Sequence, residues 1–216
     1  MNNTKIGILG SGAVAKALAE GFINNHHDVM IGTRDVSKLK EWQSKNSNVK
    51  LGSFSETASF GNIIVLAVKG TVAANALTMG EKQNLNGKII IDATNPIADS
   101  PPVNGILKFF TDNNLSLMED LQNKFPESHF VKAFNSVGSA FMVNPDFNGI
   151  KPSMFICGND VASKATVKDI LTDFGWETED MGKADSARAI EPLCILWCIP
   201  GFLNNQWSHA FKLLKK

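Results

Sequence analysis

The stretch Gly10-Ser11-Gly12-Ala13-Val14-Ala15 follows an apolar run that begins at Lys5 and precedes a helical pattern. This is the order in which a strand, a tight turn and a helix build a phosphate cradle. Glycine at position 10 allows the sharp turn, glycine at 12 lets an anion approach the backbone, and Ala15 lets the helix pack close to the strand. The first turn of such a helix presents unpaired N–H groups and the positive end of its dipole. Gly10, Ser11, Gly12, Ala13 and Val14 are therefore expected to hold the diphosphate of a dinucleotide.

The end of the next strand selects the nucleotide. A site for NAD carries Asp or Glu there, about 20 residues past the glycines, to bind the ribose hydroxyls. Here the chain reads Gly32-Thr33-Arg34-Asp35. A hydroxyl and a guanidinium suit the 2′-phosphate of NADP, because the planar fork pairs with phosphate oxygens. Lys38, one turn further on, adds a third positive contact. A strand end displaced by two residues would instead offer Asp35 to the ribose, and that alternative stays open.

In an open parallel sheet the ligand lies beyond the carboxyl ends of the strands. The segments leaving those ends are Ala67-Val68-Lys69, Ala93-Thr94-Asn95-Pro96 and Phe134-Asn135-Ser136-Val137-Gly138. They bring small and amide-bearing residues to where a nicotinamide and its ribose would sit. Asn95 and Asn135 offer both donors and acceptors to a carboxamide, or else serve to stabilise turns. Lys69 faces phosphate or solvent and is given no catalytic role. No Ser-His-Asp order and no metal constellation is evident. His26 and His27 lie in a turn, His129 begins a strand and His209 is near the C-terminus. Cys194 and Cys198, one helical turn apart, read as thiols on a shared helix face and not as a disulfide or zinc site.

These residues need a frame that brings strand ends together. Expected strands are Lys5–Leu9, Val29–Thr33, Asn62–Ala67, Lys88–Asp92, His129–Phe134 and Met154–Cys157, with a weaker one at Trp176–Asp180. The runs Ile63-Ile64-Val65-Leu66 and Ile89-Ile90-Ile91 are apolar at every position, the mark of strands covered on both faces. Helical patterns fall at Ala13–Asn24, Val36–Ser44, Gly70–Met79 and Leu115–Phe125, and from Asp160 to about Phe174. Asp185 is expected to cap a C-terminal helical segment that Pro200-Gly201 interrupts. The fold class is α/β, a Rossmann-type doubly wound and mostly parallel sheet, with residues 1–184 as the nucleotide-binding domain and 185–216 as a helical segment packed on it.

Composition agrees with this frame. The 216 residues carry 21 Lys+Arg and 21 Asp+Glu, a formal net charge of zero, so nothing favours a nucleic-acid partner. Hydrophobic residues make up 44% and charged residues 19%, a globular balance. The longest apolar stretch, Leu193 to Leu203, falls short of the roughly 20 residues of a membrane span. No secretory signal pattern opens the chain. A soluble, cytoplasmic protein without membrane partners is expected.

Taken in order, Gly10–Ala15, Gly32-Thr33-Arg34, Cys157-Gly158-Asn159-Asp160, Asp180-Met181-Gly182 and Ala187-Arg188-Ala189-Ile190-Glu191-Pro192-Leu193 resemble the deazaflavin-dependent NADP oxidoreductases, the NADPH-dependent coenzyme F-420 reductases. Lys132-Ala133-Phe134-Asn135-Ser136-Val137 is similar to the branch whose module forms the cytosolic part of six-transmembrane ferric reductases. The resemblance implies hydride transfer between NADPH and a small, planar redox acceptor (a deazaflavin or flavin), without an essential protein acid or base, and a homodimer. Where the deazaflavin enzymes tend to carry a His after the fifth strand, this chain has Asn135-Ser136, which leaves open a flavin or, through flavin, a ferric chelate. Two other readings compete: a reductase of small imines or β-hydroxy acids, and a non-catalytic NADPH-binding redox sensor. The apolar run Leu193–Leu203 is a candidate for the dimer contact or the floor of the acceptor pocket, with Trp197 and Trp207 as surfaces for a flat ring. Arg188 and Glu191, three apart, are expected to pair with each other or to contact the ligands.

Overall fold

The computed structural model describes residues 3–216. The strands are β1 (Lys5–Leu9), β2 (Asp28–Gly32), β3 (Val49–Gly52), β4 (Ile63–Leu66), β5 (Ile89–Asp92), β6 (His129–Lys132), β7 (Ser153–Gly158) and β8 (Glu177–Asp180). They form one sheet in the order β3-β2-β1-β4-β5-β6-β7-β8. Every neighbouring pair is parallel except β6 and β7, which run antiparallel with Lys132 opposite Cys157. The chain crosses from β3 back to β4 on the other side of β1, so the strand order reverses at β1 and opens a crevice at its carboxyl end.

Helices α1 (Ala13–Asn24), α2 (Lys40–Lys45), α3 (Phe54–Phe60), α4 (Ala73–Gly80), α5 (Lys82–Leu85), α6 (Leu117–Lys124), α7 (Val161–Asp173), α8 (Ala187–Ile190) and α9 (Leu193–Asn204) complete the frame. Alternate strand residues feed two separate cores. Ile6, Ile8, Ile63, Val65 and Ile91 pack with Leu18 and Phe22 of α1 and Ile170 of α7. Leu9, Ile64, Leu66 and Ile90 pack with Ala58 of α3, Leu77 of α4, Leu121 of α6 and Ile190 of α8. This is why the two isoleucine-rich runs show no polar alternation: each of their faces meets helices.

Sequence reasoning missed β3 and α3. The four-residue strand Val49-Lys50-Leu51-Gly52 is too short to show a period, but α3 announces itself by a capping box in which Ser53 and Glu56 satisfy each other's backbone N–H groups. The patterns at 36–44 and 70–79 each begin as a 3-10 turn, at Val36–Leu39 and Gly70–Val72, before α2 and α4. Asp185 does not act as a cap; it sits inside a 3-10 turn, Ala184–Ser186. Pro200 and Gly201 do not interrupt α9, which continues to Asn204 and ends where Asn205 turns left-handed at φ 53°. Gly201 is filled by the Trp207 ring, and the chain turns back so that Trp197 Nε1 donates to His209 O (2.8 Å) and Ser153 N donates to Phe211 O (2.9 Å).

The helical stretch Ala184–Asn204, 21 residues with mean hydropathy 1.3, is long and apolar enough to cross a membrane by length and composition, contrary to the expectation from the shorter run Leu193–Leu203. Within it, however, Ala187, Ile190, Glu191, Cys194 and Trp197 are buried against the rest of the chain. Its first turns dock on the body of the chain, with Ala187 and Ile190 in the core that holds Leu66 and Cys157.

Candidate functional site

The turn after β1 has the geometry its glycines require. Gly10 has φ 128°, and a Cβ there would lie 2.1 Å from Ala67 O, so no other residue fits without displacing the loop after β4. Gly12 precedes α1, and no side chain caps the helix or places an acid in its first turn. A Cβ on Gly12 would meet nothing within 4 Å. The uncapped N–H groups thus face open space, the arrangement a diphosphate fits.

That space is one end of a cleft of about 660 Å³. Gly10, Ser11, Gly12, Ala13 and Val14 line one wall; Thr33, Arg34, Asp35 and Lys38 line the end beside β2; Ala67, Val68, Lys69 and Ala93 line the other end. Because β2 ends at Gly32, Thr33 is the first residue past the strand. Its Oγ1 accepts from Asp35 N (3.2 Å), and its hydroxyl lies 3.3 Å from Ser11 Oγ. Arg34 is exposed and makes no hydrogen bond or ion pair among the described residues. Asp35, the alternative ribose ligand, is committed elsewhere: its Oδ1 accepts from Ser37 N (3.0 Å) and Ser37 Oγ (2.5 Å). These bonds hold its carboxyl below the usual carboxylate range.

A second pocket of about 540 Å³ shares Val68, Lys69 and Ala93 with the cleft. The two meet because Gly70 lets the loops after β4 and β5 touch; a Cβ there would lie 2.0 Å from Asn95 O. Thr94, Asn95 and Ile97–Pro101 form its other wall. Past β5 the chain folds into a small ribbon, with Ala98 N donating to Lys108 O (2.8 Å) and Val103 bridged to Ile106. The ribbon's Gly105 rests on Leu203 of α9. The ionisable side chains at this pocket are Lys69 and Asp99, both exposed and paired at 3.5 Å.

Residues 5–96 match the family model described as NADP oxidoreductase coenzyme F420-dependent. A solved structure from Arthrobacter sp. FB24, provisionally assigned as an F420-dependent NADP reductase, is 31% identical with a TM-score of 0.93, covering 99% of this chain and all of that one. This chain belongs to the coenzyme F420-dependent NADP oxidoreductase family. It is an NADP-dependent oxidoreductase by that membership. Metalloreductase STEAP3 of Rattus norvegicus is 30% identical over 92% of this chain, and metalloreductase STEAP2 of Homo sapiens 27% over 87%. The chain spans 39% and 35% of those two proteins. An imine reductase of Streptomyces aurantiacus shares the fold, with a TM-score of 0.69 at 14% identity.

Other expected site residues lie elsewhere in this family member. Asn135 is 4% exposed and lines neither pocket. Its Nδ2 donates to Ile190 O (2.9 Å) and lies 3.2 Å from Asn95 Oδ1, while Asn95 Nδ2 donates to Asn135 O (2.8 Å). Pro96 is buried beneath the ribbon, its carbonyl accepting from Phe110 N (2.9 Å). Trp197 and Trp207 pack on each other, 5.7 Å between centroids, and line neither pocket. No residue of 185–216 lines either one.

Arg188 and Glu191 do not pair. Arg188 makes a forked contact with Glu119, at 2.6 Å from Nη2 to Oε1 and 3.0 Å from Nε to Oε2. That guanidinium holds the Glu119 carboxyl down at about 2. Glu191 is buried and accepts from Leu117 N and Met118 N, at 3.0 Å each, at the start of α6. It also lies 2.8 Å from Lys132 Nζ, which is 2.7 Å from Asp92 Oδ2. Burial alone would strip the proton from Lys132, but the two carboxylates outweigh it and raise its pKa. Sequence reasoning missed this cluster, although Asp92 and Lys132 each follow two buried apolar residues at the ends of neighbouring strands, at paired register positions.

Proposed function

We propose that this protein binds NADPH along the main cleft and passes its hydride to a planar, flavin-like or deazaflavin acceptor in the adjoining pocket. The 2′-phosphate falls to Thr33, Arg34 and Lys38, and the diphosphate to the N–H groups that open α1. Ala67–Lys69 and Ala93 enclose the nicotinamide. NADPH, when bound, supplies a two-electron reductant; the protein contributes orientation and exclusion of water.

One observation carries this reading: two contiguous pockets share Val68, Lys69 and Ala93, and among the described residues the titratable groups lining the acceptor side are the exposed, mutually paired Lys69 and Asp99. A flavin-type ring accepts hydride without a protein acid, whereas imine or ketone reduction needs a proton delivered at the reacting atom. The STEAP resemblance supports a ferric chelate as the terminal acceptor by way of flavin. We take the protein to work as a soluble, cytoplasmic homodimer, with exposed Leu196, Phe202 and Leu203 of α9 as its contact, a state that sedimentation would read.

Steady-state NADPH oxidation against a deazaflavin, FMN, FAD, a ferric chelate with and without flavin, a cyclic imine and a β-keto acid tests the proposal. Turnover is expected with one of the planar acceptors and not with the imine or keto acid. Preference for the imine or keto acid, or tight NADPH binding with no turnover at all, would refute it.

A further inference from the structure

Lys132 is fully buried, and its ammonium has three partners: Asp92, Glu191 and the Thr94 carbonyl, to which Nζ donates at 2.9 Å. Asp92 Oδ1 in turn accepts from Thr94 N (2.9 Å) and Thr94 Oγ1 (2.6 Å). The cation and one carboxylate therefore grip every polar group of the residue that separates Ala93 from Asn95. Ala93 lines both pockets, and Thr94 and Asn95 continue from it along the wall of the second. Two residues past Lys132, Phe134 sits in the left-handed region at φ 61° though it is buried, a conformation that persists only where its surroundings hold it. It delivers Asn135 to clamp Asn95 from behind. Glu191 joins this frame to α6 and to the C-terminal segment.

From this geometry we infer that Lys132 is a positioning residue: by locking the Thr94 carbonyl between Asp92 and Glu191, it fixes the wall that sets donor and acceptor rings at reacting distance. The inference rests on the two-pocket reading above. Hydride transfer needs the reacting atoms about 3–3.5 Å apart, and a displacement near 1 Å costs on the order of 100-fold in rate. Nucleotide affinity is anchored at Gly10–Val14, Thr33 and Arg34, none of which touches the cluster. Rate and affinity should therefore separate.

Lys132→Met alone leaves two buried carboxylates facing each other and risks unfolding, so the test uses the neutral triple variant Asp92→Asn/Lys132→Met/Glu191→Gln. The milder Glu191→Gln removes the charge but keeps one acceptor oxygen for the Leu117 and Met118 N–H groups. NADPH affinity is read by calorimetry, hydride transfer by single turnover with a saturating acceptor, and the commitment to chemistry by the isotope effect of NADPH deuterated at the transferred position. In the triple variant, affinity should stay within about threefold while transfer slows about 10- to 100-fold and the isotope effect grows. Glu191→Gln should show the same split at about threefold to tenfold. A purely structural cluster would lower the melting temperature but leave the folded protein's transfer rate and isotope effect unchanged, and that result overturns the inference. So does a rate loss matched by an equal loss of affinity. An unaltered protein that fails to bind or oxidise NADPH overturns both this inference and the functional reading; full-rate variants overturn this one alone.

Discussion

Arg34→Ala should separate the two nicotinamide nucleotides. The guanidinium stands at the β2 end of the cleft and, among the described residues, has no partner to release, so its whole bonding capacity is available to a 2′-phosphate. A charge-assisted hydrogen bond is worth about 1.5–3 kcal/mol, and exposure at the cleft mouth favours the lower part of that range. At about 1.5–2 kcal/mol, NADPH binding should weaken about 10- to 30-fold, since 1.36 kcal/mol is a factor of ten. NADH has nothing for Arg34 to grip and should change by no more than about twofold. Calorimetric titration of both nucleotides into the unaltered protein and the variant reads these numbers directly. Added salt should erode the NADPH advantage of the unaltered protein and leave the variant nearly indifferent. The companion Asp35→Ala tests the alternative: its carboxylate is turned toward Ser37, so NADH affinity should hold. Equal losses of NADPH and NADH in Arg34→Ala, or a selective loss of NADH in Asp35→Ala, would refute the 2′-phosphate assignment.

Gly12→Ala should fold normally, since its Cβ meets nothing within 4 Å, yet bind NADPH at least about tenfold more weakly because the methyl enters the diphosphate space. An unchanged dissociation constant with an unchanged melting curve would count against the cradle. Gly10→Ala, forced at φ 128° against Ala67 O, should lose both stability and binding, read by melting and titration. Glu119 is held down to about 2 from 4.5 by Arg188, so the stabilisation is complete above about pH 4.5 and disappears as the pH falls toward 2. Arg188→Ala should lower the melting temperature by about 2–4 °C at pH 7 and by little near pH 2; a loss independent of pH would contradict the pairing. In alkylation at pH 8 followed by mass spectrometry, half-buried Cys198, its thiol lowered by a hydrogen bond with Cys194, should react first, while Cys157, raised to about 12 by burial, stays unlabelled.

What could be read in the sequence was the chemistry built from neighbours. Gly10, Gly12 and Ala15 work within one strand–turn–helix, and Thr33-Arg34 follows from where the next strand stops, so spacing alone was enough to bring Gly10–Val14, Thr33 and Arg34 to one cleft. Strand runs covered on both faces likewise betray themselves by unbroken apolarity. The far end of the cleft was legible only in part. Ala67–Lys69 reached the cleft as expected, but Asn135 and Pro96 turned inward, because an amide has equal use for a carboxamide ligand and for the backbone of another loop. The edge strand β3 fell below the length at which a period of two can be counted, although the Ser53–Glu56 capping box marked the helix after it.

The pairing of Arg188 with Glu119 and of Glu191 with Lys132 shows why helical spacing misled. Residues three apart on an isolated helix find each other, but α8 is a four-residue helix packed against α6 and β7, and both Arg188 within it and Glu191 at its end found partners on other elements. The clue lay in the strands: an acid ending β5 and a lysine ending β6, both after runs of buried apolar residues, have nowhere to go except toward each other. Burying one such pair makes a third charged residue costly unless it completes the set. Glu191 does so by also taking the first N–H groups of α6. The C-terminal segment thereby supports the second pocket without lining it, through Leu203 against Gly105 of the ribbon and through Glu191, whose partner Lys132 holds the Thr94 carbonyl. On the proposed two-pocket reading, acceptor choice should therefore follow from residues 97–101 of the ribbon and its support on α9. Exchanging that segment should change the preferred acceptor in the NADPH oxidation panel, whereas the glycine motif is of a kind shared by many unrelated dinucleotide sites.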